Sequence, residues 1–333
     1  SFLLLLSIGG WIFWGGPKRV SLIVGTMFES VKNYNLTTIV FFMLMGVILF
    51  RSGLGNILIN AVDKWIGRLP GRLALIGVAA GALIGSLSGS GAATTALLAS
   101  TLIPEMQKRG YNKTMLMGPI MGAGALDVII PPSGLGVLLG SVAEIPIGPL
   151  LISGYIPGIL MAILIAGYVI IRCWLQPWLA PPSTEPSTPL SVKLTVLVRD
   201  VLPFSLVIFL CMGLILLGVA SPNEAAATGA VGAIILSLAY RRLSWKLMYE
   251  SLSDTIRASL VLLMIFTGSV GFSQLLSFTG ASRGLVAFST SFDVSPITIL
   301  IFMQLGILVL GCFIDSVSII MITMPIYMPI VRF

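Results

Sequence analysis

Gly85-Ser-Leu-Ser-Gly-Ser-Gly-Ala-Ala-Thr-Thr95 lies between two apolar stretches and carries three serines, two threonines and three glycines in eleven residues. Its hydroxyl and backbone oxygens fall where the flanking sequence predicts lipid, and glycine at this density disfavours a regular helix. Polar groups at membrane depth are costly, so the stretch reads as the tip of a helical hairpin that meets an ion or a polar substrate.

The surrounding chain has 333 residues, of which 57% are hydrophobic and only 9% charged; a soluble domain has about 25% charged residues. Mean hydropathy is +1.06. Apolar runs near the span length of about 20 residues recur throughout, which excludes a soluble domain on a single anchor. The net charge of +7 is carried by short basic clusters between apolar segments, the positive-inside pattern rather than a nucleic-acid footprint. The chain has no histidine, and Cys173, Cys211 and Cys312 each stand alone in apolar sequence. Zinc sites, disulfide frameworks and histidine-dependent nucleophilic catalysis are thereby disfavoured. Residues 1–14 read as a span rather than a signal peptide. The apolar run up to Phe333 suggests a piece of something longer.

Working outward from the tip, residues 36–50 form a span ending at Arg51. In residues 54–69, Leu54, Ile57, Leu58, Ala61, Val62, Trp65 and Ile66 repeat at helical spacing opposite Asn60, Asp63, Lys64 and Arg68. This predicts an amphipathic interfacial helix, broken by Pro70-Gly71. The arms 72–87 and 92–103, flanked by Arg72 and Lys108, are short for full spans and describe a re-entrant hairpin, the alternative being two short spans joined by a polar loop. Residues 115–142 would make one long span, but Asp127-Val-Ile-Ile-Pro-Pro-Ser-Gly134 interrupts it. The two prolines remove amide donors and predict a discontinuous helix whose freed carbonyls suit a cation. A span at 150–171 precedes the linker with Pro181-Pro-Ser-Thr-Glu-Pro-Ser-Thr-Pro189. Spans follow at 201–220 and 225–240, joined by Ser221-Pro-Asn-Glu-Ala225, a turn and helix start. After a span at 261–276 and a connection at 280–292, residues 296–331 form a second hairpin candidate. It carries Asp315 within apolar sequence, as an ion ligand or as a structural hydrogen-bonding aspartate.

The two hairpins overlay without gaps, Gly71 to Met106 on Pro296 to Val331, with Pro104 on Pro329 and Ser90 on Asp315. Each follows a span and a connection in the same order. Assigning the clusters 51–72, 108–113, 172–199 and 241–257 to the cytoplasm places roughly 14 of 19 basic residues there. Lys18, Arg19 and Lys32 count against this assignment. On it, the hairpins enter from opposite sides. The expected fold is an all-α polytopic membrane protein, an inverted repeat with two re-entrant helical hairpins and discontinuous helices.

Ser88-Gly-Ser-Gly-Ala92, Ile103-Pro-Glu-Met-Gln-Lys-Arg-Gly-Tyr111, Ile130-Pro-Pro-Ser133, Gly148 through Ser153-Gly-Tyr-Ile-Pro-Gly158 and Pro222-Asn-Glu-Ala-Ala226 together resemble the large membrane (M) subunit of tripartite ATP-independent periplasmic (TRAP) transporters, within the wider ion transporter superfamily. The resemblance implies a Na+-coupled, elevator-type importer of small organic acids in the bacterial inner membrane. It also implies a small membrane (Q) subunit, a periplasmic substrate-binding protein, a small carboxylate substrate and the lipid bilayer as partners, with no nucleic acid. Carried over by motif, the sodium and substrate residues are Ser86, Ser88, Gly89, Ser90, Gly91, Thr94, Pro131, Pro132 and Ser133, with Gly311, Asp315, Ser316 and Thr323 in the second repeat. Many of these ligands are backbone carbonyls. The implied organisation is an N-terminal scaffold and arm (1–70), a first transport unit (71–173), a cytoplasmic linker (174–199), a second scaffold (200–295) and the second hairpin (296–333).

Two departures from the family pattern stand out. Asp127 occupies a position that is usually small, so it marks a changed ion site, a substrate contact or a surface exit. The second repeat's own broken helix would follow Phe333. Two sodium ions would offset a carboxylate held between the hairpin tips, and that differential affinity is the coupling. The competing readings are a carrier of the same superfamily working without a capture protein, and an intramembrane enzyme using Asp127 with Asp315. The chain lacks the paired motifs such an enzyme needs.

Overall fold

The computed structural model describes residues 35–331 apart from 68, 89–90, 182–188, 282–283 and 285–294, with isolated positions before residue 35. Fourteen α-helices and no strand occur among the described residues. In chain order they are α1 (Asn35–Arg51), α2 (Leu54–Ile66), α3 (Arg72–Ser88), α4 (Gly91–Lys108), α5 (Lys113–Ala125), α6 (Gly134–Ala143), α7 (Ile147–Ser153), α8 (Tyr155–Leu175), α9 (Leu190–Val196), α10 (Leu202–Leu216), α11 (Pro222–Ala239), α12 (Trp245–Phe278), α13 (Pro296–Gly311) and α14 (Ser316–Val331). The chain divides into two compact units, one of residues 37–137 and 146–255, the other of 1–36, 138–145 and 256–333.

The larger unit is organised around α3, which packs against α2, α4, α5 and α8. Its core is aliphatic and sulfur-rich, with Met45, Ile48, Leu58, Ile76, Leu98, Met106, Ile120 and Leu126 fully buried. α1 and α2 are bent by 72° at Gly53, whose φ of +68° suits glycine. α2 buries Leu54, Gly55, Leu58, Ile59, Ala61 and Val62. The buried face is therefore turned slightly from the periodicity reading: Trp65 is exposed while Ile59 goes inside. Arg72 closes the corner between α2 and α3 with a 2.7 Å ion pair to Asp63. Between α4 and α5 the chain reverses at Gly110 (φ +75°), and Asn112 caps α5 by accepting the Thr114 amide at 3.1 Å. Ser221 and Glu224 form a reciprocal capping box at the start of α11, where Pro222 takes the first helical position.

Among the described residues, three helical stretches are long and apolar enough to cross a membrane: Ile147–Leu175, Leu190–Leu216 and Trp245–Phe278. Two begin earlier than composition suggests. Helix starts at Leu190, directly after Pro189, and passes through a π-turn at Leu197–Val201 into α10. α12 starts at Trp245, where the Ser244 hydroxyl accepts the Leu247 amide at 3.1 Å, and Glu250 and Asp254 on its polar first half meet Arg51 of α1 at 2.5 Å each. On α8, Ile156, Ile159, Leu160, Ile163 and Leu164 are more than half exposed, an apolar surface that lipid would cover.

In the smaller unit α13 packs against α14. Tyr327 donates to the Met303 carbonyl at 3.2 Å, and Ser269 of α12 donates to the Met321 carbonyl at 2.6 Å. The gap-free overlay aligns Gly91 with Ser316, and these residues begin α4 and α14 respectively. Pro104 and Pro329, also aligned, both lie inside their helices. The connection read at 280–292 falls almost wholly outside the described residues.

Candidate functional site

α3 repeats glycine at Gly77, Gly81 and Gly85, four apart and hence on one face. A β-carbon on Gly81 would stand 2.5 Å from Ala123 Cβ, and one on Gly85 2.8 Å from Asp127 Cβ. The α3 backbone therefore lies directly on α5 and the following 3-10 turn, Leu126–Val128, with no room for a side chain. At the start of α4 the approach is as close. A β-carbon on Gly91 would overlap the Gly124 carbonyl, and one on Gly124 would overlap the Thr95 hydroxyl.

Helix ends at Val128 and resumes at Gly134, as the double proline predicts. Pro131-Pro132 is a cis bond. Ser133 ties the two sides together: its hydroxyl donates to the Val128 carbonyl at 2.8 Å and accepts the Gly136 amide at 3.1 Å, capping α6. The break rests on the start of α8. A β-carbon on Gly154 would be 2.5 Å from the Ile129 carbonyl, and one on Gly158 2.6 Å from Ile130. The motif Ser153-Gly-Tyr-Ile-Pro-Gly158 is thus small at the two positions the break approaches, Gly154 against the Ile129 carbonyl and Gly158 against the Ile130 side chain. Glycines at spacing four were the available signal for this contact and for the α3 face.

Of the expected site residues, Ser86 is buried near the end of α3, donating to the Leu83 carbonyl at 2.9 Å. It shares with Pro131 and Tyr155 the lining of a largely aliphatic cavity of about 560 Å3. Ser88 is the last residue of α3, Gly91 begins α4, and Thr94 is buried one turn in. Gly89 and Ser90 lie outside the described residues. The hairpin's described ends and the helix break are therefore neighbours in one unit. Tyr155 was not foreseen as part of that lining.

Asp127 is 1% exposed, which removes the surface-exit reading. It sits under the hairpin between the end of α3 and the start of α4, in contact range of Gly85 and Gly91.

In the smaller unit, Gly311 ends α13 and Asp315 caps α14. The Asp315 carboxylate accepts the Ser318 amide at 3.1 Å and the Ser318 hydroxyl at 2.7 Å, so the structural aspartate reading has a definite geometry. Ser316 is exposed, and Thr323 is buried with its hydroxyl on the Ile319 carbonyl at 2.7 Å. Among the described residues no group of three or more histidine, cysteine or acidic side chains could hold a metal ion.

Residues 1–332 match the family described as "Tripartite ATP-independent periplasmic transporter, DctM component". The chain is 28% identical over 315 residues to the C4-dicarboxylate TRAP transporter large permease protein DctM of Pseudomonas aeruginosa, covering 94% of this chain and 73% of that one. It is 26% identical over 330 residues to the 2,3-diketo-L-gulonate TRAP transporter large permease protein YiaN of Escherichia coli, covering 99% and 76%. With the isethionate TRAP transporter permease protein DctMQ of Oleidesulfovibrio alaskensis it shares 28% identity over 317 residues, 95% of this chain but 49% of that longer protein. In fold it resembles the crystal structure of the Alcanivorax borkumensis YdaH transporter, with a TM-score of 0.63 and 14% identity over 96% of this chain and 74% of that one. Families of this kind are integral inner-membrane permeases and not enzymes. With five motifs in order, an all-helical apolar fold and a family match along nearly its whole length, the chain belongs to the DctM-component family, the large permease subunits of tripartite ATP-independent periplasmic transporters.

Proposed function

We propose that the chain imports a small organic acid across the inner membrane by sodium coupling, taking substrate from a periplasmic binding protein and working beside a small membrane subunit. The observation that carries the reading is the discontinuous helix at residues 128–134 packed against the α3–α4 pair, with Ser86 and Pro131 on one cavity. A break of this kind frees carbonyls for a cation at membrane depth, and helix N-termini beside it favour a carboxylate. Sodium is held by Ser86, Ser88, Gly89, Ser90, Gly91 and Thr94 with Pro131, Pro132 and Ser133, largely through backbone oxygens. Gly311, Asp315, Ser316 and Thr323 form the second repeat's share.

α3 and α4 have 17 and 18 residues, about 25–27 Å at 1.5 Å per residue, short of an untilted crossing of the roughly 30 Å core. That length supports a re-entrant pair, which in this reading an elevator movement carries. The relatives named for C4-dicarboxylates and diketogulonate support an organic acid as substrate. The DctMQ relative, about twice the matched length, supports a small membrane partner.

The test is uptake of a panel of labelled organic acids into proteoliposomes holding the complete permease and its matched binding protein. Uptake should require an inward sodium gradient and the binding protein. Equal uptake with choline replacing sodium would overturn the coupling, and uptake without the binding protein would favour a stand-alone carrier.

A further inference from the structure

Three of the basic clusters that charge counting assigns to the cytoplasm, 51–72, 172–199 and 241–257, each place one cation on a single cleft of the larger unit. The cations are Lys64 of α2, Arg199 of the π-turn between α9 and α10, and Arg242 of the turn after α11, around a hollow of about 570 Å3. Asp200 lines it as well, so three cationic side chains face one carboxylate and two positive charges are left over. Among the described residues none of these four side chains is in an ion pair. The framework is fixed by hydrogen bonds. Tyr240 donates to the Arg199 carbonyl at 2.5 Å, and Arg242 Nη1 donates to the Ser52 and Gly53 carbonyls at 3.3 and 3.5 Å, which leaves the rest of its guanidinium open to the cleft. A hollow with surplus arginine and lysine charge suits the oxygens of a phosphate.

The helix that carries Arg199 also turns an apolar row outward. Leu190, Leu194 and Val198, spaced by four, are followed by Leu202 and Leu206 of α10, and each is more than half exposed. Trp65 of α2 is exposed beside them, with the Lys193 ammonium 5.9 Å from its ring centre; such rings sit at head-group level. A soluble anion would use the cations alone, whereas a phospholipid uses the charge and the apolar row together. We propose that the cleft binds an anionic phospholipid, its phosphate among Lys64, Arg199 and Arg242 and its acyl chains along Leu194, Val198 and Leu202. A diphosphatidylglycerol is preferred, because its two phosphodiesters match the two uncompensated charges. The bound lipid holds α2 to α9 and α10 at the membrane surface. The positive-inside rule alone accounts for cations in each of these segments, but it does not gather one from each around a common hollow.

The test is native mass spectrometry of the complete permease in detergent, titrated with tetraoleoyl diphosphatidylglycerol and, for comparison, phosphatidylcholine. The parent should retain the anionic lipid in preference. Lys64→Gln with Arg199→Gln should bind it at least about tenfold more weakly, at about fivefold for each cation removed. Lys108→Gln with Lys246→Gln removes the same charge outside the cleft and should bind it like the parent. Arg199→Gln alone, with an expected loss of about fivefold, carries the test if the double variant does not fold. Unchanged binding in the cleft variants would overturn the site, and so would equal loss in both double variants, which reduces the effect to surface charge. Inorganic phosphate at millimolar concentration should leave the lipid in place. Displacement by it would overturn the lipid as occupant and assign the cleft to a soluble phosphate.

Discussion

Ser133 holds two backbone ends with one hydroxyl, donating to the Val128 carbonyl and receiving the Gly136 amide. Ser133→Ala removes both bonds in a buried place. Loss of the cap and of the carbonyl's partner should cost about 1–3 kcal/mol, read as a lower midpoint in thermal unfolding of the detergent-solubilised protein. A midpoint unchanged from the parent would mean that water takes over both bonds. The glycine face of α3 offers a sharper contrast. Gly81→Val would drive a side chain into Ala123 and Leu98, with an overpacking cost of about 1–3 kcal/mol or more. Gly118 on α5 has nothing within 4 Å of its would-be β-carbon, so Gly118→Ala should leave the midpoint unchanged or slightly raised. Similar behaviour of the two variants would refute the close α3–α5 approach.

At the scale of elements, the hairpins show what a cap and an ion site have in common, since both need an oxygen aimed at a helix start. Asp315 is the cap of α14 in geometry and a sodium ligand in the proposed function. Asparagine caps helices about as well as aspartate but carries no charge. Asp315→Asn should therefore keep the protein folded while losing sodium-dependent uptake, and Asp315→Ala should lose uptake with some stability as well. Normal sodium dependence in the asparagine variant would restrict Asp315 to capping. Arg51 joins α1 to α12 through Glu250 and Asp254, but all three side chains are about one-third exposed or more. Solvent screening keeps such a pair small, so Arg51→Gln should cost no more than about 1 kcal/mol. A double-mutant cycle with Asp254→Asn measures the coupling directly.

At the scale of the whole molecule, the exposed apolar side chains of α8 have meaning only against lipid. A carboxylate near the middle of that helix should oppose insertion by about 2.5–3.5 kcal/mol. Ile163→Asp is expected to empty the membrane fraction of the protein, and Ile163→Ala to leave it, as cell fractionation would show. Normal membrane yield of the aspartate variant would place that face against protein or water instead.

Much of this was open to reading along the chain, because the deciding physics is local. Hydropathy marks the apolar helices, adjacent prolines cannot continue the hydrogen-bond ladder and end α5, and Ser221 with Glu224 three residues on announces a helix start. The register between hairpins was legible too, and α4 and α14 begin at aligned residues. Two boundaries resisted, at Leu190 and Trp245, because Pro189 with Ser191, Lys193 and Thr195 looks like linker, and Glu250 with Asp254 looks like loop until Arg51 is placed beside them. The candidate site divides along the same line. The sequence determined by itself that a polar tip and a helix break exist, since both are written in consecutive residues. Only the tertiary structure decided that Gly85, Gly91 and Gly124 close around Asp127, leaving its carboxylate buried without a partner. Burial and the absence of a partner are properties of packing between segments far apart in the chain, and no stretch of sequence carries them alone.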